Sequence, residues 1–143
     1  MKRFILCFAM LVIACLCLTS CGNKDERVYK CSEWKLVVAS VSDGQITENT
    51  LDILKEYKSY VLVLKDNGMF TLEYQYGEKN YSYAGTYKEE DNQIFLTYTD
   101  AYAEENGCYP TYKVSSDGKT LTRNQFNENI GTGLTVKQTF NLK

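Results

Sequence analysis

The 143-residue chain contains no histidine, so the commonest general base and the commonest metal ligand are both missing. No Gly-x-Ser-x-Gly, phosphate loop or dinucleotide fingerprint occurs either. Acids cluster at Glu89-Glu90-Asp91 and Glu104-Glu105, in stretches that read as turns. Acid runs there are ordinarily solvated and lack the opposed placement of a glycosidase pair. Asp100 with Glu104, Glu105 and the Asn106-Gly107 turn makes a calcium candidate, but the spacing does not match an EF-hand loop. We therefore expect no enzyme, no metal site and no cofactor. What remains is six cysteines and twelve tyrosines.

The cysteines divide by position. Lys2 and Arg3 precede an apolar run from Phe4 to Leu18, and the small residues Thr19 and Ser20 lead into Cys21. This is the three-part layout of a secretory signal, and its apolar run is shorter than the roughly 20 residues that cross a bilayer. Leu18-Thr19-Ser20-Cys21 resembles the lipobox of bacterial lipoprotein precursors. That resemblance implies cleavage before Cys21 and lipidation of its thiol, with acyl chains of the palmitate kind holding the protein to a membrane. Cys7, Cys15 and Cys17 would leave with the signal. Removing Lys2 and Arg3 leaves 14 basic residues against 18 acidic ones, a net charge of −4. No Lys/Arg cluster appears, which argues against a nucleic-acid partner. Cys31 and Cys108 remain. In an oxidising compartment they are expected to bridge, closing a long loop worth about 4 to 5 kcal/mol in the chain-entropy model. Two free buried thiols are the other reading, and a thiol-only metal site without histidine is a poor third.

The rest of the chain reads as all-β. Residues 1–20 form the signal peptide, 21–31 a polar tether and 32–143 one domain, with turn signals at Asp43-Gly44, Asp66-Asn67-Gly68, Gly77, Asp91-Asn92, Asp117-Gly118 and Asn129 to Gly133. Between them lie eight strand candidates with period-two alternation: 34–41, 60–65, 69–76, 81–88, 93–99, 111–115, 119–125 and 134–142. Leu51, Leu54, Tyr57 and Val61 fall at helical spacing behind Asn49 as N-cap, which predicts one short helix over Asn49 to Tyr60, after the first strand. Eight short antiparallel strands favour closure into an up-and-down barrel, because closure removes the unpaired edges.

Trp34-Lys35-Leu36-Val37, the hairpin from Leu62 to Leu72, Gly85-Thr86-Tyr87 and the hairpin from Tyr112 to Thr122 together resemble the lipocalin-like domain of small bacterial lipoproteins, especially of Bacteroidota. The resemblance implies a barrel that binds a small apolar or amphipathic ligand. In lipocalins the first strand carries Gly-x-Trp, whose ring plugs the barrel floor; here the place is held by Ser32-Glu33-Trp34. Lys24-Asp25-Glu26, just after Cys21, is similar to the short signal that sends some Bacteroidota lipoproteins to the outer leaflet of the outer membrane. A solvated charged linker is the alternative.

Tyr74, Tyr76, Tyr81, Tyr83, Tyr87 and Tyr98 fall on the inward face of three consecutive expected strands. Tyrosine offers an apolar body and one hydroxyl, which suits either a packed core or a pocket. The candidate pocket set is Trp34, Tyr74, Tyr83, Tyr87, Tyr98 and Gln138. Two functions stay open: a lipid-anchored module that binds a small apolar or amphipathic ligand in the cell envelope, or a protein-interaction or inhibitor lipoprotein with a filled barrel core that acts through loops such as Ala101 to Pro110.

Overall fold

The computed structural model describes residues 26–99, 110–127 and 133–143. Nine strands follow in chain order: β1 (Arg27–Ser42), β2 (Gln45–Asp52), β3 (Tyr57–Leu64), β4 (Met69–Tyr76), β5 (Lys79–Glu90), β6 (Gln93–Tyr98), β7 (Thr111–Val114), β8 (Thr120–Asn127) and β9 (Gly133–Leu142). From β3 to β9 each strand pairs antiparallel with the next. The long β1 closes the ring by pairing through Arg27–Lys30 with β3 on one edge and through Tyr29–Ala39 with β9 on the other. Eight strands thus form a closed antiparallel barrel, and β2 is an extra strand laid along Lys35–Ser42 of β1.

Two expectations need correction. No α-helix spans Asn49 to Tyr60. The turn Asp43-Gly44 has positive φ at both residues, 52° and 77°, the geometry of a tight hairpin turn whose twist matches its strands. The returning chain is thereby committed to pairing with β1 through Asp52. Only Ile53–Glu56 is left to coil, as a single 3₁₀ turn without a side-chain cap. The second correction is the domain boundary. β1 begins at Arg27, ahead of Ser32, and Tyr29 and Cys31 are already buried.

Alternation fills the lower barrel. Leu62 and Leu64 on β3, Phe70 and Leu72 on β4, Ile94 and Leu96 on β6, Tyr112 and Val114 on β7, Leu121 on β8 and Phe140 on β9 form one buried cluster with Tyr29 and Cys31. The end where the chain enters is closed. Tyr29 Oη donates to the Gly118 carbonyl at 2.8 Å and Tyr87 Oη to the Lys65 carbonyl at 2.9 Å, while Arg27 reaches Glu89 with an Nη2 to Oε2 distance of 2.6 Å. This end is the floor. The other end, where β4 turns into β5, is the mouth, and beyond it the pairs β1/β2 and β8/β9 continue as a projecting sheet.

One glycine is required by packing. Gly85 lies opposite Phe70 on one side and Tyr98 on the other, and the Phe70 ring occupies the space a side chain would take. A Cβ there would collide with the Thr97 carbonyl oxygen and come within 2.6 Å of Phe70 Cε1. Backbone on one side and a fully buried ring on the other leave no room to yield. Gly85→Ala should cost about 3 kcal/mol or more, read as a lowered urea midpoint with an unchanged m-value; a midpoint within error of wild type would contradict this packing.

Candidate functional site

Strict alternation would aim Cys31 and Trp34, three residues apart, at opposite faces of β1. The ladder to β9 slips between Cys31 and Glu33, leaving Ser32 as an extra residue, and this bulge turns both side chains inward. The same device recurs on β3, where the register to β4 slips between Tyr57 and Ser59. Tyr57 and Tyr60 then both face the lumen beside Trp34. Two bulges build the aromatic wall.

Its rings touch in sequence. Trp34 stacks on Tyr57 at 5.3 Å and tilts against Tyr60 at 4.9 Å. Tyr60 stacks on Tyr74 at 5.4 Å, and Tyr74 stacks on Tyr81 at 4.9 Å and on Tyr83 at 5.9 Å. Tyr98 closes the series, edge-on to Tyr83 at 6.4 Å and to Phe70 at 5.1 Å. Contacts of this kind each add about 0.5 to 1.5 kcal/mol beyond area burial. The rings pack on one another, so the lumen beneath them is filled, and their partly exposed upper surfaces form the bed of the mouth. Burial pushes the Tyr60 hydroxyl far above its ordinary pKa. It raises Tyr74 as well, aided by the 3.5 Å hydrogen bond Tyr74 donates to Tyr83.

Beside the rings lies a polar row. Trp34 on β1, Gln138 on β9 and Arg123 on β8 sit abreast in register. Gln138 is only 3% exposed. Its Oε1 accepts a 2.9 Å hydrogen bond from Tyr112 Oη, which fixes the amide so that Nε2 points away from that tyrosine. Among the described residues Trp34 Nε1 has no hydrogen-bond acceptor and Gln138 Nε2 faces only the Cys31 sulfur, a weak acceptor, although both are buried. A buried donor left unsatisfied costs about 1 to 3 kcal/mol, and such groups are rare enough in folded proteins to require a reason.

The sequence-derived candidates distribute as follows. Trp34, Tyr74, Tyr83, Tyr98 and Gln138 converge on this end of the barrel. Tyr87 does not: its hydroxyl is bound at the floor. Trp34 is not a floor plug either, since Tyr29 fills that place. Cys31 is a free, buried thiol whose Sγ donates to the Glu33 carbonyl at 3.4 Å, so the disulfide expected with Cys108 is not seen; Cys108 lies outside the described residues, as do Cys21, Asp100, Glu104 and Glu105. Glu89 and Glu90 are engaged with Arg27 and Lys88, and no cluster of metal-ligating side chains occurs among the described residues. Sequence reasoning missed Tyr57, Tyr60, Tyr112 and Arg123. Alternation with Val114 and Leu121 could have found the last two.

Comparison with protein-family models and with curated proteins finds no match to the chain.

Burial pushes the Cys31 thiol up to about 11, with the Glu33 backbone and the Gln138 amide acting in the opposite direction. The folded value lies above the ordinary 9.0, so the thiol's contribution to stability is complete below that pH and is lost as pH rises through about 11. Cys31 should resist iodoacetamide at mildly alkaline pH in the native protein and react once the chain is unfolded in urea, as read by peptide mass spectrometry. Rapid native labelling would contradict its placement in the core.

Proposed function

We propose that the protein is a non-enzymatic envelope lipoprotein whose barrel mouth takes up a small apolar or amphipathic molecule. One observation carries the reading: a bed of partly exposed tyrosines lies beside two buried donors, Trp34 Nε1, which has no acceptor among the described residues, and Gln138 Nε2, which has only the weakly accepting Cys31 sulfur. A ligand face stacked on the rings, with an oxygen accepting from a donor, supplies what both halves lack. The closed barrel supports the reading by giving that bed a rigid frame.

Because Trp34 is the only tryptophan, its fluorescence reports the site directly. A panel of fatty acids, bile acids, haem and glycans should contain a compound that quenches Trp34 and raises the melting temperature, since a ligand of the native state alone must do so. Tyr74→Leu with Tyr83→Leu should weaken that compound about tenfold or more while the barrel stays folded by circular dichroism. A panel without any quenching or shift would sink the reading.

The address is part of the same proposal. Lipidation at Cys21 would hold the barrel to the outer membrane, and Lys24-Asp25-Glu26 would carry it to the outer leaflet. Cys21→Ala should move the protein from the membrane to the soluble fraction and abolish palmitate labelling; unchanged membrane recovery would remove the anchor from the proposal.

A protein partner is the second reading, favoured by the projecting β1/β2 pair. β2 has no partner on its outer edge among the described residues, and Val41 and Ile46 are 72% and 71% exposed. Unpaired strand edges invite strand addition.

A further inference from the structure

The strand β2 presents an open edge. It lies along β1 on the side away from β9, and each of its eight residues is exposed. In a tight hairpin the pair next to the turn exchanges both main-chain hydrogen bonds, and pairs that do so alternate with pairs that do not. Ser42↔Gln45 is that first pair. Gln45, Thr47, Asn49 and Leu51 therefore bond to β1, while Ile46, Glu48 and Thr50 turn their N–H and C=O groups outward. Asp52, next in that phase, is taken up as the N-cap of the 3₁₀ turn. No described residue bonds to the six outward groups. Natural edges are guarded by bulges, prolines, lysines or short length. β2 keeps an unbroken register with β1 over eight pairs and contains neither proline nor lysine.

The side chains say which strand would fit. On the face that carries Ile46, Glu48 and Thr50, the opposing residues of β1 are Val41, Ala39 and Val37. Val41 and Ile46 form an exposed apolar pair across the hairpin. Glu48 is the only charged residue of the six, and no ion pair engages it among the described residues. Residues 45–56 carry three acids against one lysine, and that lysine, Lys55, is held by Asp52 at 3.5 Å. A second copy of the chain fits badly. The three outward residues centre on Glu48, so the two-fold pairing that satisfies all six groups sets Glu48 directly opposite Glu48 of the other copy. Like charges so placed destabilise a ladder.

We propose that the β2 edge receives an extended, cationic segment of a protein partner as an added strand. This assignment rests on the second reading above, that of a protein partner, and adds where the partner docks and what chemistry it carries. Every second residue of an antiparallel strand meets Thr50, Glu48 and Ile46 in that order, with side chains on their face of the sheet. Opposite Glu48 the strand places a lysine or arginine. Two residues on, opposite Ile46, it places an apolar side chain that extends the patch of Ile46 and Val41. Main-chain bonds to the six outward groups supply affinity, and the cation with its apolar neighbour supplies selection.

Two end-blocked octapeptides test it. One has threonine at every second position with lysine and valine alternating between, and the other has glutamate in place of lysine. Each is titrated into the isotope-labelled protein, and NMR reads the Ile46, Glu48 and Thr50 amides. The lysine peptide should bind there about tenfold more tightly or better than the glutamate peptide, by a margin that shrinks as salt is raised, and should slow hydrogen exchange of the three amides. Glu48→Lys should reverse the preference. Thr50→Pro removes an outward N–H and no bond to β1, so it should weaken the lysine peptide and leave the circular dichroism of the barrel unchanged. Equal affinity for the two peptides would overturn the cationic assignment and leave a strand partner standing. Binding of neither would overturn docking at this edge, with the loops left to carry the second reading. Slow exchange of the three amides in the free protein, or a dimer by analytical ultracentrifugation, would also overturn it, since another segment of the chain or a second copy would then cover the edge.

Discussion

The interior of this barrel depends on where strict alternation is broken. A strand places successive side chains on opposite faces, so one face of β1 can be luminal only if its inward residues stay in phase. Tyr29 and Cys31 set one phase and Trp34, Leu36 and Val38 the other. The extra residue Ser32 reconciles them. Without it, Trp34 would face solvent, and Tyr57 and Tyr60 would lose the ring they both pack against. The matching slip at Lys58 on β3 lies beside the first, and the two together concentrate aromatic area at one height of the barrel. Bulges also increase local twist, which suits the level at which β1 leaves β3 and begins to pair with β2.

The two ends of the barrel differ in how they satisfy polar groups. At the floor, Tyr29 and Tyr87 each place a hydroxyl on a carbonyl, and Arg27 lies against Glu89. A part-exposed ion pair contributes less than about 1 kcal/mol, so its value there is closure more than stability. Toward the mouth the balance changes: Trp34 Nε1 and Gln138 Nε2 are buried without an oxygen acceptor among the described residues. Stability alone would favour apolar residues in the row, since removing an unsatisfied donor is often neutral or favourable. Keeping the donors is the pattern expected of a site whose missing acceptor arrives with a ligand.

Most of the barrel was legible in the sequence. Phe70, Leu72 and Tyr74 on β4, Ile94 and Leu96 on β6, and Gln138 and Phe140 on β9 alternate cleanly, and each lies on the luminal face as the pattern required. The failures share one cause. A bulge brings residues three apart onto one face of a strand, and that spacing also marks one face of a helix. Tyr57 and Tyr60 obey it, as do Cys31 and Trp34. Leu51, Leu54 and Tyr57 thus read as helical when they belong in turn to a strand, a 3₁₀ turn and the next strand. The same break hid the first part of β1 and moved the domain boundary to Ser32. Of the site, the tyrosines on β4 and β5 were visible as a pattern. Arg123 was not, because one charge in a polar strand has no signature until pairing with Gln138 gives it a face.

Direction is the last consequence of the topology. The chain enters the barrel at the floor, where Arg27 pairs with Leu64, and its last residue returns there, Lys143 N–H donating to the Val28 carbonyl at 2.9 Å. If Cys21 carries the lipid, the short stretch to Arg27, at about 3.5 Å per extended residue, holds the floor within about 20 Å of the bilayer. The mouth would then open away from the membrane surface. A barrel so mounted would meet solutes on its aqueous side. The tether and the orientation of the barrel would thereby be parts of one arrangement: a floor held toward lipid and a ring-lined end held toward water.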